Sequence, residues 1–271
     1  MAAALVDGPR SVPARAVARL KGLISSTWVA TGVATRLRTR AMDAVIALRP
    51  APRSQRRWDV KRSWDTRVDM SADCIAELRW WMAHLLHVSG QPIRPRPLDG
   101  RFDGIIFSDA SDLGVGAYIT TEGPDAAASS LVAGLAALRA ITPSGLSVRD
   151  AVRRTQQGIE FMTVLPEELC SASSTLREMY GLALFVRAVR VLLGRGRHRL
   201  VMDNLGCVFI LGGVVPPFAV GGKRWGEFVS GGSTVPELQR LALELHDLQL
   251  SHGFQLVPEW RPRDENTRAK F

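Results

Sequence analysis

Ile105-Ile106-Phe107-Ser108-Asp109-Ala110-Ser111 is a short apolar strand that closes on an acid, and Leu113-Gly114-Val115-Gly116-Ala117-Tyr118-Ile119 continues it into a second strand. An acid at a strand end is held rigidly at the rim of a sheet, within reach of a metal ion or a substrate. The same placement also serves an aspartate that merely starts a turn. Two further acids in matching contexts, Glu178 and Asp203, add weight to the first alternative.

Working toward the C-terminus, strands are expected at about 103–108, 114–120, 159–164, 199–202 and 254–260. Ser173-Ser174-Thr175 caps a helix running to about Leu193, ended by Gly194-Arg195-Gly196. A short helix follows Asp203, and Pro236 opens another that runs to about His252. Three consecutive strands imply an antiparallel meander, and the later helical crossovers imply parallel pairing. The fold class is therefore α/β, a mixed five-stranded sheet flanked by helices. Residues 122–158, with an alanine-rich helical middle at 126–140, read as an insertion. Gly221-Gly222 and Gly231-Gly232 lack the Lys-Ser/Thr pair of a phosphate-binding loop and read as a flexible loop. His246 and His252 read as surface groups.

Upstream, residues 1–97 form a basic helical region and linker, and the domain of interest spans 98–271. Val12, Ala16, Leu20, Leu23 and Ile24 mark one apolar helix face, and a second helix covers Val33 to Leu48. Residues 50–66 read as a linker or surface arm, with Arg53, Arg56 and Arg57 interleaved with Trp58 and Trp64. That pattern binds nucleic acid through phosphates and stacked bases; it equally suits a loop pinned to a core by its aromatics. Ser71 caps a helix to about Val88 whose buried face is Ile75, Leu78, Trp81, Met82 and Leu85, stopped by Gly90. His84 and His87 have no third ligand nearby and read as surface or packing residues. The proline-rich run Pro92 to Pro97 marks the boundary.

The net charge of +9 over 271 residues is nearly all arginine, the only lysines being Lys21, Lys61, Lys223 and Lys270. It favours a polyanionic partner, nucleic acid foremost, although arginine-biased codon usage yields the same excess. Cys74, Cys170 and Cys207 are far apart, with no metal-binding or disulfide spacing, which fits a reducing, intracellular setting, cytoplasmic or nuclear. No apolar run approaches the ~18 residues of a membrane span, and no secretory signal is expected.

If the first and fourth strands are parallel neighbours, Asp109 and Asp203 share one sheet edge. Glu178, a turn into its helix, faces back toward it. Three converging carboxylates repel one another unless a cation joins them. Mg2+ or Mn2+ with hard oxygen ligands relieves the conflict, and two such ions roughly 3.5–4 Å apart can activate water against a phosphodiester. Ser108 and Ser111 have no histidine partner, so nucleophilic catalysis has no support.

Ser108-Asp109-Ala110-Ser111, Ser174-Thr175-Leu176-Arg177-Glu178, Met202-Asp203-Asn204 and Trp260-Arg261-Pro262-Arg263-Asp264-Glu265-Asn266 together resemble the ribonuclease H domains of retroelement reverse transcriptases, the DIRS/Ngaro-like group most closely. Arg15 to Gly22, Thr39-Arg40, Trp58-Asp59 and Glu77-Leu78-Arg79-Trp80-Trp81 resemble the segment connecting polymerase to ribonuclease H in those elements. The resemblance implies a ribonuclease H-like fold and metal-dependent cleavage of the RNA strand of an RNA–DNA hybrid. It implies Asp109, Glu178 and Asp203 as catalytic metal ligands, and Asn204 as a contact to the substrate strand. It also implies a polymerase domain, absent from this chain, as a partner. Where the family has a fourth acid this chain has Lys270; Asp264 or Glu265 could substitute for it, but they fall where the family has ordinary surface acids. A catalytically impaired nucleic-acid-binding remnant of the same fold is the alternative, and another nuclease of this fold a third reading.

Overall fold

A computed structural model describes residues 2–27, 31–32, 34–88, 102–120, 152–155, 158–212 and 231–263. The expected helix stop at Gly90, the proline-rich run, Gly221-Gly222, Asp264, Glu265, Lys270 and most of 122–158 lie outside them, as does the side chain of Arg57. The chain divides into two compact units, Met1–Arg96 with Gly232–Thr234, and Pro97–Gly231 with Val235–Phe271. Among the described residues no helix is long and apolar enough to cross a membrane.

The first unit is helical, with a two-stranded ribbon. Its elements are α1 (Ala2–Val6), β1 (Ser11–Pro13), α2 (Ala14–Ser26), α3 (Ala34–Leu37), α4 (Arg40–Ala47), α5 (Arg57–Asp65), β2 (Arg67–Asp69) and α6 (Ala72–Val88). Val12 lies in β1, pairing antiparallel with Val68 of β2. Helix α2 buries Ala14, Val17, Leu20 and Ile24, while Leu23, expected inside, is 54% exposed.

The helix expected over 33–48 is two helices. Glu77 explains the break. Its buried carboxylate accepts the backbone N–H groups of Ala41 (2.9 Å) and Met42 (3.1 Å), satisfying donors that the start of α4 leaves open. Trp81 Nε1 donates to the Arg38 carbonyl at 2.7 Å on the other side of the break. The Glu77-to-Trp81 motif is thus a structural clamp. Because its stripe runs through Glu77, α6 buries Cys74, Glu77, Leu78, Trp81 and Val88; Met82 and Leu85, expected inside, are exposed. His84 stacks on Trp80 and His87 is exposed. The arm expected at 50–66 carries α5, its inner side formed by buried Asp59 and Ser63.

The second unit holds a mixed sheet. Its strands are β3 (Gly104–Ala110), β4 (Gly114–Thr120), β5 (Val152–Thr155), β6 (Gly158–Val164), β7 (Arg197–Met202) and β8 (Gln255–Trp260), in the order β5-β6-β4-β3-β7-β8. The meander β3-β4-β6 is antiparallel, and β3-β7 and β7-β8 are parallel. The five expected strands are present in one mixed sheet, flanked by helices as expected. A short edge strand, β5, joins them from the tract read as an insertion. Helices α7 (Glu167–Cys170), α8 (Ser174–Val189), α9 (Leu205–Leu211) and α10 (Pro236–His252) complete the unit.

The core between α8, α10 and the sheet is built from Leu182, Phe185, Val186, Leu241, Leu245 and Leu200, all essentially buried. His246, expected at the surface, is buried in α10, which turns that flank inward. Gly181 sets the approach of α8 to the sheet: a Cβ there would meet the Val115 side chain at 2.6 Å.

Candidate metal centre

The register explains how distant acids meet. Phe107 of β3 pairs in parallel with Val201 of β7. Asp109 and Asp203 stand the same distance further along these strands, so they come level at the C-terminal edge. Asp109 Oδ1 accepts the Ala110 N–H at 2.8 Å. The turn after it is shaped by Ser111, whose hydroxyl accepts from the Gly114 N–H at 3.0 Å, which accounts for that serine structurally. Asp203 follows the last residue of β7. Its carbonyl accepts from Trp260 Nε1 at 2.9 Å, and Arg261 N donates to Met202 O at 2.9 Å, so the end of β8 pins the end of β7.

Glu178 comes from α8, whose N-cap Ser173 accepts the Leu176 N–H at 3.3 Å. Arg177 ties the helix to the hairpin following Asp109: it pairs with Asp112 at 2.8 Å and donates to the Cys170 carbonyl at 2.9 Å. Asp109, Glu178 and Asp203 each offer a carboxylate oxygen, and these oxygens lie within 4.8 Å of one another. The convergence expected from sequence is therefore present.

Glu178 is 6% exposed. Burial pushes its carboxyl up to about 8; the Asn204 hydrogen bond opposes this, and the negative charges of Asp203 and Asp109 reinforce it. Asn204 Nδ2 donates to Glu178 Oε1 at 3.0 Å, while Asn204 Oδ1 accepts from the Cys207 N–H at 3.2 Å and from the Thr175 hydroxyl at 3.3 Å. Asn204 is thus both the N-cap of α9 and the clamp that aims Glu178. The Cys207 thiol lies 4.0 Å from Glu178 Oε2; burial, then Glu178 and Asp203, push it well above the ordinary range, keeping it protonated. Arg263 Nε stands 3.7 Å from Asp203 Oδ2.

Three hard carboxylate donors, one buried and destabilised as an anion by the other two, fit a divalent cation of the Mg2+ or Mn2+ type. Beside them, Asp109 borders a groove of about 410 Å³ whose walls include Leu113, Met162 and Val164, all exposed. Among the other residues singled out from sequence, Arg53 and Arg56 are exposed in the first unit. Sequence reasoning missed the contacts of Thr175 and Cys207 with Asn204 and the anchoring role of Trp260. The available signals were an Asn before a short apolar helix for the cap and a Trp closing the last strand.

No family model and no curated protein matches the chain. Among solved structures, the chain is similar to the N-terminal RNase H domain of rv2228c from Mycobacterium tuberculosis, solved as a fusion with maltose-binding protein. The identity is 17% and the TM-score 0.30, over 61% of this chain and 92% of that one. It is also similar to RNase H1 from the halophilic archaeon Halobacterium salinarum, at 15% identity and a TM-score of 0.32, over 63% of this chain and 92% of that one.

Proposed function

We propose that this chain is a metal-dependent endonuclease that cleaves the RNA strand of RNA–DNA hybrids, as the ribonuclease H part of a retroelement reverse transcriptase. The observation that carries it is the meeting of Asp109, Glu178 and Asp203 from two parallel strand ends and a helix. A divalent cation bound there supplies Lewis-acid activation of water and of the scissile phosphate. The chain's own residues do the rest. Asp109 and Asp203 are fixed by strand ends, so their oxygens need no reorganisation to receive a cation. Asn204 fixes the rotamer of Glu178 and meets the substrate strand at the same rim. The groove beside Asp109 receives the sugar edge of that strand. Arg53, Arg56 and Arg57 hold backbone phosphates, an interaction that weakens steeply with salt. Recognition rests on helix shape and 2′-hydroxyls rather than on sequence. A polymerase domain outside this chain is the partner in this reading.

The alternative is an impaired binding remnant. Arg263, which brings positive charge beside Asp203, favours it, and in sequence Lys270 stands where the resembled family has its fourth acid. Incubating labelled RNA–DNA hybrid with the protein and Mg2+ or Mn2+, beside Asp109→Asn, decides. RNA-strand cleavage that the variant lacks supports the nuclease; tight binding without cleavage supports the remnant; cleavage of DNA ends instead supports another nuclease of this fold. Lys270→Asp raises cleavage or metal affinity if the tail is placed correctly.

A further inference from the structure

Two tryptophans of the basic arm have opposite environments. Trp64 is half-buried, with the Arg49 guanidinium stacked over its ring at 4.0 Å. Trp58 is 59% exposed, and among the described residues no ring or guanidinium stacks on it. An exposed indole offers a large flat apolar face on which a base can stack.

The surroundings suit such a ligand. On a helix, positions 58, 61, 62 and 65 share one face. Lys61 and Arg62 are exposed there, and Arg53 and Arg56 are exposed just upstream. The nearby acids are already engaged: Asp59 is buried and accepts from the Ser54 hydroxyl, and Asp65 pairs with Arg15 at 2.9 Å. The outer side of α5 therefore presents an exposed indole beside Lys61 and Arg62, with Arg53 and Arg56 exposed upstream, and among the described residues no acid pairs with these four cations.

We infer that this face is a binding site for an unpaired nucleic-acid strand, with Trp58 stacking on a base and Lys61, Arg62, Arg53 and Arg56 contacting the flanking phosphates. The cations recognise the polyanion. The indole adds strandedness, because interior bases of a duplex have both faces covered by their neighbours, whereas an unpaired base offers one to stack on. The site is distinct from the carboxylate centre and does not depend on hydrolysis there.

The test is fluorescence anisotropy of the full chain with labelled oligo(dT) and with a mixed-sequence duplex of equal length, in EDTA so that the carboxylate centre is silent. Trp58→Ala weakens oligo(dT) binding by about tenfold, the lower range of one lost base–aromatic stack. Trp58→Phe keeps most of the affinity, and duplex binding shifts by less than about twofold in either variant, since phosphate contacts alone carry it. Lys61→Glu with Arg62→Glu weakens both ligands and flattens their salt dependence. Unchanged oligo(dT) affinity in Trp58→Ala would overturn the inference. So would an equal loss on the duplex, or competition by an acidic peptide as effective as oligo(dT). A protein that cleaves hybrids yet fails this test loses only the strand site; one that passes it and cleaves nothing loses only the nuclease reading.

Discussion

Asn204 is the residue on which the geometry of the acidic centre most depends, because one side chain caps α9 and aims Glu178. Asn204→Ala removes both of these bonds and the one from the Thr175 hydroxyl. The cap alone is worth about 1 kcal/mol, and a free Glu178 rotamer lowers hybrid cleavage by about tenfold or more, in line with the cost of losing a positioning contact. Thermal unfolding and single-turnover cleavage measure the two effects separately; a loss of stability with unchanged cleavage would leave Asn204 a cap and nothing more. Glu77 carries the pH dependence of the other unit. Burial pushes its carboxyl from its ordinary value near 4.5 up to about 7, against the opposing backbone bonds from Ala41 and Met42. A folded-state value above the unfolded one means the folded protein holds the extra proton. The resulting stability is full below about 4.5 and lost as pH rises through about 7. Unfolding midpoints in chelator should fall across that window, and Glu77→Gln should flatten the fall; an unchanged slope would contradict the assignment.

Helix α8 is the element that brings Glu178 to the strand ends, and Gly181 sets its height above β4. Gly181→Ala places a methyl against the Val115 side chain, an overpacking that costs about 1–3 kcal/mol. The shift is felt at Glu178, one turn away, so cleavage falls along with the unfolding temperature; a variant as stable and as active as the parent would show that the helix stands off the sheet.

Much of this unit was legible in advance, for physical reasons that did not extend to the first unit. Strands β3, β4, β6, β7 and β8 alternate apolar and polar residues, or are continuously apolar, between clear stops, and the acids stand at their ends. Strand β5 reads Val152-Arg153-Arg154-Thr155, too polar and short to announce itself without its partner. In the first unit, burial follows tertiary partners rather than hydrophobicity. Glu77 is buried because α4 needs its carboxylate, while Met82 and Leu86, at 50% and 86% exposed, face outward. The break at Arg38-Thr39 was invisible for the same reason, since the residue that caps the new helix lies far along the chain. Residues 57–65 read as a linker because their mean character is strongly polar, yet buried Asp59 and Ser63 hold them as a helix.

For the whole molecule, divalent cations are expected to be ligands of the folded state. Mg2+ or Mn2+ should raise the unfolding midpoint in proportion to RT ln(1 + [L]/Kd), and Asp109→Asn or Asp203→Asn should abolish the rise while leaving the cation-free midpoint unchanged or higher, because each removes a charge from a mutually repelling cluster. A cation effect that survives either substitution would place the ion elsewhere. With a net charge of +9, the nucleic-acid affinity proposed above should decline log-linearly with salt.

The most direct measurement is the anomalous scattering of Mn2+ soaked into crystals of the protein. A peak bonded to at least one oxygen from each of Asp109, Glu178 and Asp203 is expected, and no such peak in Asp109→Asn. Density at other residues, or none at the three carboxylates in saturating Mn2+, would contradict it.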